Sequence, residues 1–149
     1  MNRPRPECNA TGRASLAPVF QRDYILRMVD AVAQAVARVI RLLKQQKDPE
    51  QAQQVLAEAY KGLSLDREFL LVLDGPSIRT HCGNDDERLA LAVQLLLSDC
   101  EVQVFKADRP EAQRTLRAAR RALREVRDAP ANLSAELQRL HEVVATLDP

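Results

Sequence analysis

A chain of 149 residues is one domain's worth of sequence, and at that size folding buries roughly 70% of the unfolded surface, so neither a disulfide nor a metal is needed for a core. Its hydrophobic content of 46% is Ala, Val and Leu, with no Trp, three Phe, two Tyr and only four Gly, which argues against a hairpin-rich sheet and for helix packed on helix. Charged residues make up 29% and nearly cancel at +1, so no globally acidic or basic partner is implied.

Residues 1–18 carry Arg3, Arg5 and Arg13 without the apolar stretch of a secretory signal. With Pro4, Pro6, Gly12 and Pro18 they read as a disordered tail, or as leader sequence from an early start codon, ahead of a single helical domain over 19–149. The first helix is expected from about Val19 to Gln46. Ile25, Val29, Val32, Val36, Val39 and Leu43 recur at alternating spacings of four and three, the pattern of a heptad seam. Leu26, Ala33 and Ile40 form a second apolar row, and Met28, Ala35 and Leu42 a third. A stripe that wide fits a helix covered on two sides.

Asp48-Pro49-Glu50-Gln51 opens the second helix with a capping Asp and a proline at the first helical position. Its apolar face is Ala52, Val55, Leu56, Ala59 and Leu63, and Gly62 and Ser64 end it. Asp66 caps a short apolar segment through Leu73, read as helix with strand as the alternative. Residues 74–84 hold Gly75, Pro76 and Gly83 and read as the longest internal loop. Asn84-Asp85-Asp86-Glu87 places acids at the next helix start, which runs to about Lys106. Asp108-Arg109-Pro110-Glu111 opens an arginine-rich helix expected over 108–128, and Ala129-Pro130 separates it from a last helix starting near Asn132. The sum is an all-α domain of five or six antiparallel helices, in a bundle or a tetratricopeptide-like stack.

Residues 48–63 and 108–123 echo each other at an offset of sixty, with Asp48/Asp108, Ala52/Ala112, Gln53/Gln113, Leu56/Leu116, Ala59/Ala119 and Leu63/Leu123 identical. Alanine at close-contact positions with leucine between them is the pattern of a second tetratricopeptide helix, although the aromatic signature of the first helix and the ~34-residue period are missing. The opening Gln21-Arg22-Asp23-Tyr24-Ile25-Leu26-Arg27-Met28, with Ala52 through Asp66 and then Leu70-Leu71, resembles a bacterial family of small helical proteins with tetratricopeptide-like pairs and no assigned function. The resemblance covers residues 20–73. It implies a bacterial, cytoplasmic protein and carries over no catalytic residue.

Two surfaces stand out as candidate sites. The seam Ile25, Val29, Val32, Val36, Val39 and Leu43 suits either the central core helix or a homodimer interface. Arg114, Arg117, Arg121 and Arg124 share a helix face able to grip phosphates or an acidic partner, or simply to lie solvated over apolar surface. The absence of aromatics there, and the neutral balance of the chain, argue against nucleic acid. Cys8, Cys82 and Cys100 are odd in number and form no C-x-x-C pair, so they read as free thiols of a reducing compartment. His81-Cys82 lacks the spaced partners of a metal site or nucleophile pair, and Asp85-Asp86-Glu87 lacks the ligand spacing of a cation loop. No cofactor, metal or membrane span (~18 apolar residues) is therefore expected. The leading function is a non-enzymatic protein-interaction or scaffold module that binds a protein or itself. The alternative is a regulator that contacts an anionic ligand or nucleic acid through the arginine helix.

Overall fold

A computed structural model of the chain describes the backbone of residues 5–149 and the side chains of residues 22–149. The helix boundaries follow from local chemistry. Asp48, Asp66, Asp74, Asp85 and Asp108 each precede a helix and accept hydrogen bonds from backbone N–H groups of its first turn, at 2.8–3.4 Å. They open α2 (Pro49–Gly62), α3 (Arg67–Val72), α4 (Gly75–His81), α5 (Asp86–Phe105) and α6 (Arg109–Arg124). The first helix is α1 (Arg5–Lys44) and the last is α7 (Ala131–Ala145). Of the expected tail, residues 1–4 lie outside the described residues, and 5–18 continue the backbone of α1 with side chains that lie outside them too.

The ends are as local as the starts. Behind α2, α4 and α5 the chain turns through a left-handed residue, Ser64, Gly83 and Ala107, at φ 58°, 72° and 56°. In each case the following N–H returns to the last turn, Leu65 to Tyr60, Asn84 to Arg79 and Asp108 to Gln103, all at 2.9 Å. Asp108 thus closes α5 with its backbone and opens α6 with its side chain.

Among the described residues there are seven helices and no strand, so the expected count of five or six is too low. The added element is α4, inside what reads as a loop. Gly75 and Pro76 there are not breakers but the first helical positions behind Asp74, where a missing N–H costs nothing. Residues 66–73 are helical, not strand. The arginine helix stops at Arg124 rather than 128 because the next residues are tied elsewhere. Arg79 Nη1 donates to the Glu125 carbonyl at 2.6 Å, and the Arg127 N–H donates to Asp86 Oδ1 at 3.1 Å.

The helix at the centre is α5, not α1. It is apolar nearly all round, with Leu89, Val93, Leu95, Leu96 and Val102 fully buried, and it packs against α1, α2, α4, α6 and α7. The strongest pairings are α5 with α6 and α1 with α2, each joining one segment of the sixty-residue echo, α6 or α2, to the long helix that precedes it. Ala52 and Ala112 are both completely buried, and Leu56 and Leu116 are buried beside them. The small side chain lets each second helix approach closely and the leucine fills the space next to it.

Candidate interaction surfaces

A buried polar cluster ties four helices together. Asp99 of α5, only 1% exposed, accepts from Tyr60 Oη of α2 at 2.9 Å, from Arg67 of α3 at 2.6 and 3.2 Å, and from Gln103 Nε2 at 3.1 Å. Arg67 also donates to Glu111 Oε2 of α6 at 3.1 Å. Burial pushes the Tyr60 phenol well above its ordinary range, and the neighbouring Asp99 charge adds to that. Burial alone would weaken the Arg67 charge, but its bonds to Asp99 and Glu111 prevail and hold it more firmly. Every group has a partner, and Asp99, Tyr60 and Gln103 are closed to solvent, so the cluster is a clasp of the fold. Sequence reasoning missed it. The one available signal was an acid, Asp99, set in the otherwise apolar run of α5.

The first-helix seam is divided by the fold. Val32, Val39 and Leu43 lie in the core with Met28 and Leu42, Ile25 and Val36 are half-buried against it, and Val29 is 41% exposed. The side left open is a neighbouring row, Leu26, Val29, Ala33, Val36 and Ile40, spaced three, four, three and four. Leu26 is 57% exposed and Ile40 46%.

The lower half of this open row borders a groove of about 730 Å³ between α1 and α7, floored by α5. Val36, Val39, Leu97, Val104 and Leu133 make it apolar, and Ile40 and Phe105 stand half-exposed at its rim. Its polar wall is Glu101 of α5 and Glu136 of α7, both paired with Arg139. Burial lifts the Glu136 carboxyl above its ordinary value. The size and lining suit a recognition groove.

The arginine face is divided as well. Arg114 is paired with Glu111 at 2.8 Å and faces Glu68 at 3.7 Å. Arg121 donates to the carbonyls of Leu71 and Leu73, both at 3.0 Å, and so caps the end of α3. Arg117 and Arg124 are exposed and have no salt-bridge partner among the described residues. Close to the capped end of α3, Phe69 and Val72 are 54% and 69% exposed.

The His81-Cys82 pair is drawn apart. His81 Nε2 accepts from the Asp66 N–H at 3.2 Å, and its ring meets Phe69 edge-on at 5.8 Å. Cys82 is fully buried, and burial pushes its thiol up to about 11. Cys100 is equally buried and pushed up to about 11 by the same cause. Neither thiol is poised as a thiolate nucleophile at neutral pH. Among the described residues no three His, Cys, Asp or Glu side chains converge as a metal site, and no described helix is long and apolar enough to cross a membrane. Asp85 and Asp86 are a helix cap and the partner of Arg79 at 2.7 Å, respectively. No protein-family model, curated protein or solved structure gives a significant match to the chain.

Proposed function

We propose that this protein is a non-catalytic interaction module, built of tetratricopeptide-like helix pairs, that receives an apolar helix face of a protein partner in the groove between α1, α5 and α7. The observation that carries this is the groove itself. An apolar floor lies open beside an exposed apolar row on α1, and a helix laid there would cover both. Retention of a partner from bacterial lysate by the immobilised protein tests the proposal. Ile40→Ser with Phe105→Ser should lose that partner, and Arg117→Ser with Arg124→Ser should keep it. Equal retention by both double variants would remove the groove from the account.

A second function is favoured by Arg117 and Arg124, whose charges are free of ion pairs among the described residues. They would give an anionic ligand or nucleic acid a foothold on α6. That function predicts binding that falls steeply with salt and is lost in the arginine variant instead.

A further inference from the structure

The groove needs an occupant, and the open row of α1 needs a cover. We infer that both needs are met by a second copy of this chain, with the α1 helices of the two copies packed antiparallel about a two-fold axis near Ala33. The inference rests on the groove proposal and names its partner.

The row Leu26, Val29, Ala33, Val36 and Ile40 is a heptad stripe that the fold leaves largely uncovered, with Val36 alone half-buried. Only its lower part has a groove beside it. Val36 and Ile40 line the groove, whereas Leu26 and Val29 lie outside it. A two-fold axis at Ala33 brings the second copy's Leu26 to Ile40 and its Val29 to Val36 and Ala37. The uncovered half of each row then falls toward the groove of the other, an isologous contact in which each groove is completed by its neighbour. Ala33 and Ala37 sit at the crossing, where small side chains allow two helix axes to approach closely.

Charge favours the antiparallel sense. The solvent edge of the row carries acids in its first half, Asp23 and Asp30, and bases in its second, Arg41 and Lys44. Antiparallel packing sets the Asp23 end of one copy against the Lys44 end of the other, and parallel packing sets like against like. Arg22, at the head of the row, meets Lys44 and runs against this trend.

Light-scattering mass on the full chain, in a series up to about 1 mM, tests the inference at the weak end of specific association. The expected mass is twice 16.7 kDa. Ile40→Glu should weaken the dimer about a hundredfold or more, because it buries a charge at the contact. Its helical circular dichroism should be unchanged, because Ile40 is 46% exposed in the single chain. In a Cys8→Ser background, Ala33→Cys should oxidise to a cross-linked dimer. Leu26→Cys should not cross-link, since its copies lie about 21 Å apart along the helix axes of the antiparallel pair, 14 residues at 1.5 Å per residue. A monomer throughout would overturn the inference and leave the groove open to another protein. A dimer that survives Ile40→Glu, or that cross-links through Leu26→Cys, would overturn it as well. The groove proposal falls separately, if the Ile40→Ser and Phe105→Ser protein retains its partners.

Discussion

Arg67 meets Asp99 side-on, with Nε 2.6 Å from one carboxylate oxygen and Nη2 3.2 Å from the other, across 32 residues of sequence. The pair joins α3, which is only six residues long, to the buried centre of α5. Removing the guanidinium leaves Asp99 charged and buried with Tyr60 and Gln103 as its remaining donors. Arg67→Met should therefore cost about 2–4 kcal/mol, toward the low side for breaking a buried pair because Arg67 keeps some solvent contact. Arg67→Met combined with Asp99→Leu should cost less than the sum of the two single changes. Urea unfolding followed by circular dichroism measures both. A loss under about 1 kcal/mol for Arg67→Met would show that the clasp contributes little.

The two glycines on α2 and α4 should respond to alanine with opposite signs. At Gly62, the last residue of α2, an added Cβ meets nothing within 4 Å. Gly62→Ala should stabilise by about 0.5–1 kcal/mol, by reducing the freedom of the unfolded chain. At Gly75 the same Cβ would stand 3.2 Å from the Arg121 carbonyl and 2.9 Å from Glu125 Oε2, where α4 presses on the end of α6. Gly75→Ala should destabilise by about 1 kcal/mol, overpacking being partly offset by helix propensity. Thermal unfolding of both variants decides it, and a shift in the same direction would contradict the close contact at Gly75.

The helix starts were legible in sequence because they are local. An Asp followed within three residues by the N–H groups it caps needs no tertiary partner; Asp48, Asp66 and Asp108 all act as read, and within the acidic run 84–87 the cap is Asp85. Asp74 works in the same way, but Gly75 and Pro76 behind it carry the composition of a loop. The three apolar rows of α1 were legible as rows. Which of them turns inward depends on where α2 and α5 lie, and sequence spacing does not contain that. So Val32 and Val39 went to the core while Val29, in the same seam, stayed half in solvent. The arginine face was legible as a periodicity, yet Arg121 spends its donors on α3 carbonyls some fifty residues away. The groove, assembled from α1, α5 and α7, had no sequence signal at all.

Ala107 occupies a position that suits glycine. It holds φ 56° at the turn between α5 and α6, with the Asp108 N–H closing the end of α5 behind it. A residue with a Cβ pays roughly 1 kcal/mol for the left-handed region, and glycine does not. Ala107→Gly should raise stability by about 0.5 kcal/mol, the remainder being lost to greater freedom in the unfolded chain. Ala107→Val should lower it by more than that, because a β-branched side chain fits this region poorly. If chemical denaturation midpoints rank Val above Gly, the turn does not have this conformation in solution.

Stability should fall on the alkaline side. The thiols of Cys82 and Cys100 are pushed from an ordinary 9.0 to about 11 by burial. A raised folded-state value means that the unfolded chain gives up its proton first as pH rises. The contribution is therefore whole below about pH 9 and is lost as pH climbs through 11, by about 2–3 kcal/mol per thiol. The Tyr60 phenol, held well above 10.0 by burial and by Asp99, extends the fall to still higher pH. Urea midpoints taken from pH 7 upward should decline from pH 9. In Cys82→Ala with Cys100→Ala the midpoint at pH 7 should be lower, from lost packing, but the decline between 9 and 11 should be shallower. Tyr60→Phe should leave the decline between pH 9 and 10 alone and flatten it above about 10, where the unfolded phenol begins to give up its proton. Parallel curves for all three proteins would mean that these groups are open to water, and would bring the thiols back into consideration as reactive groups.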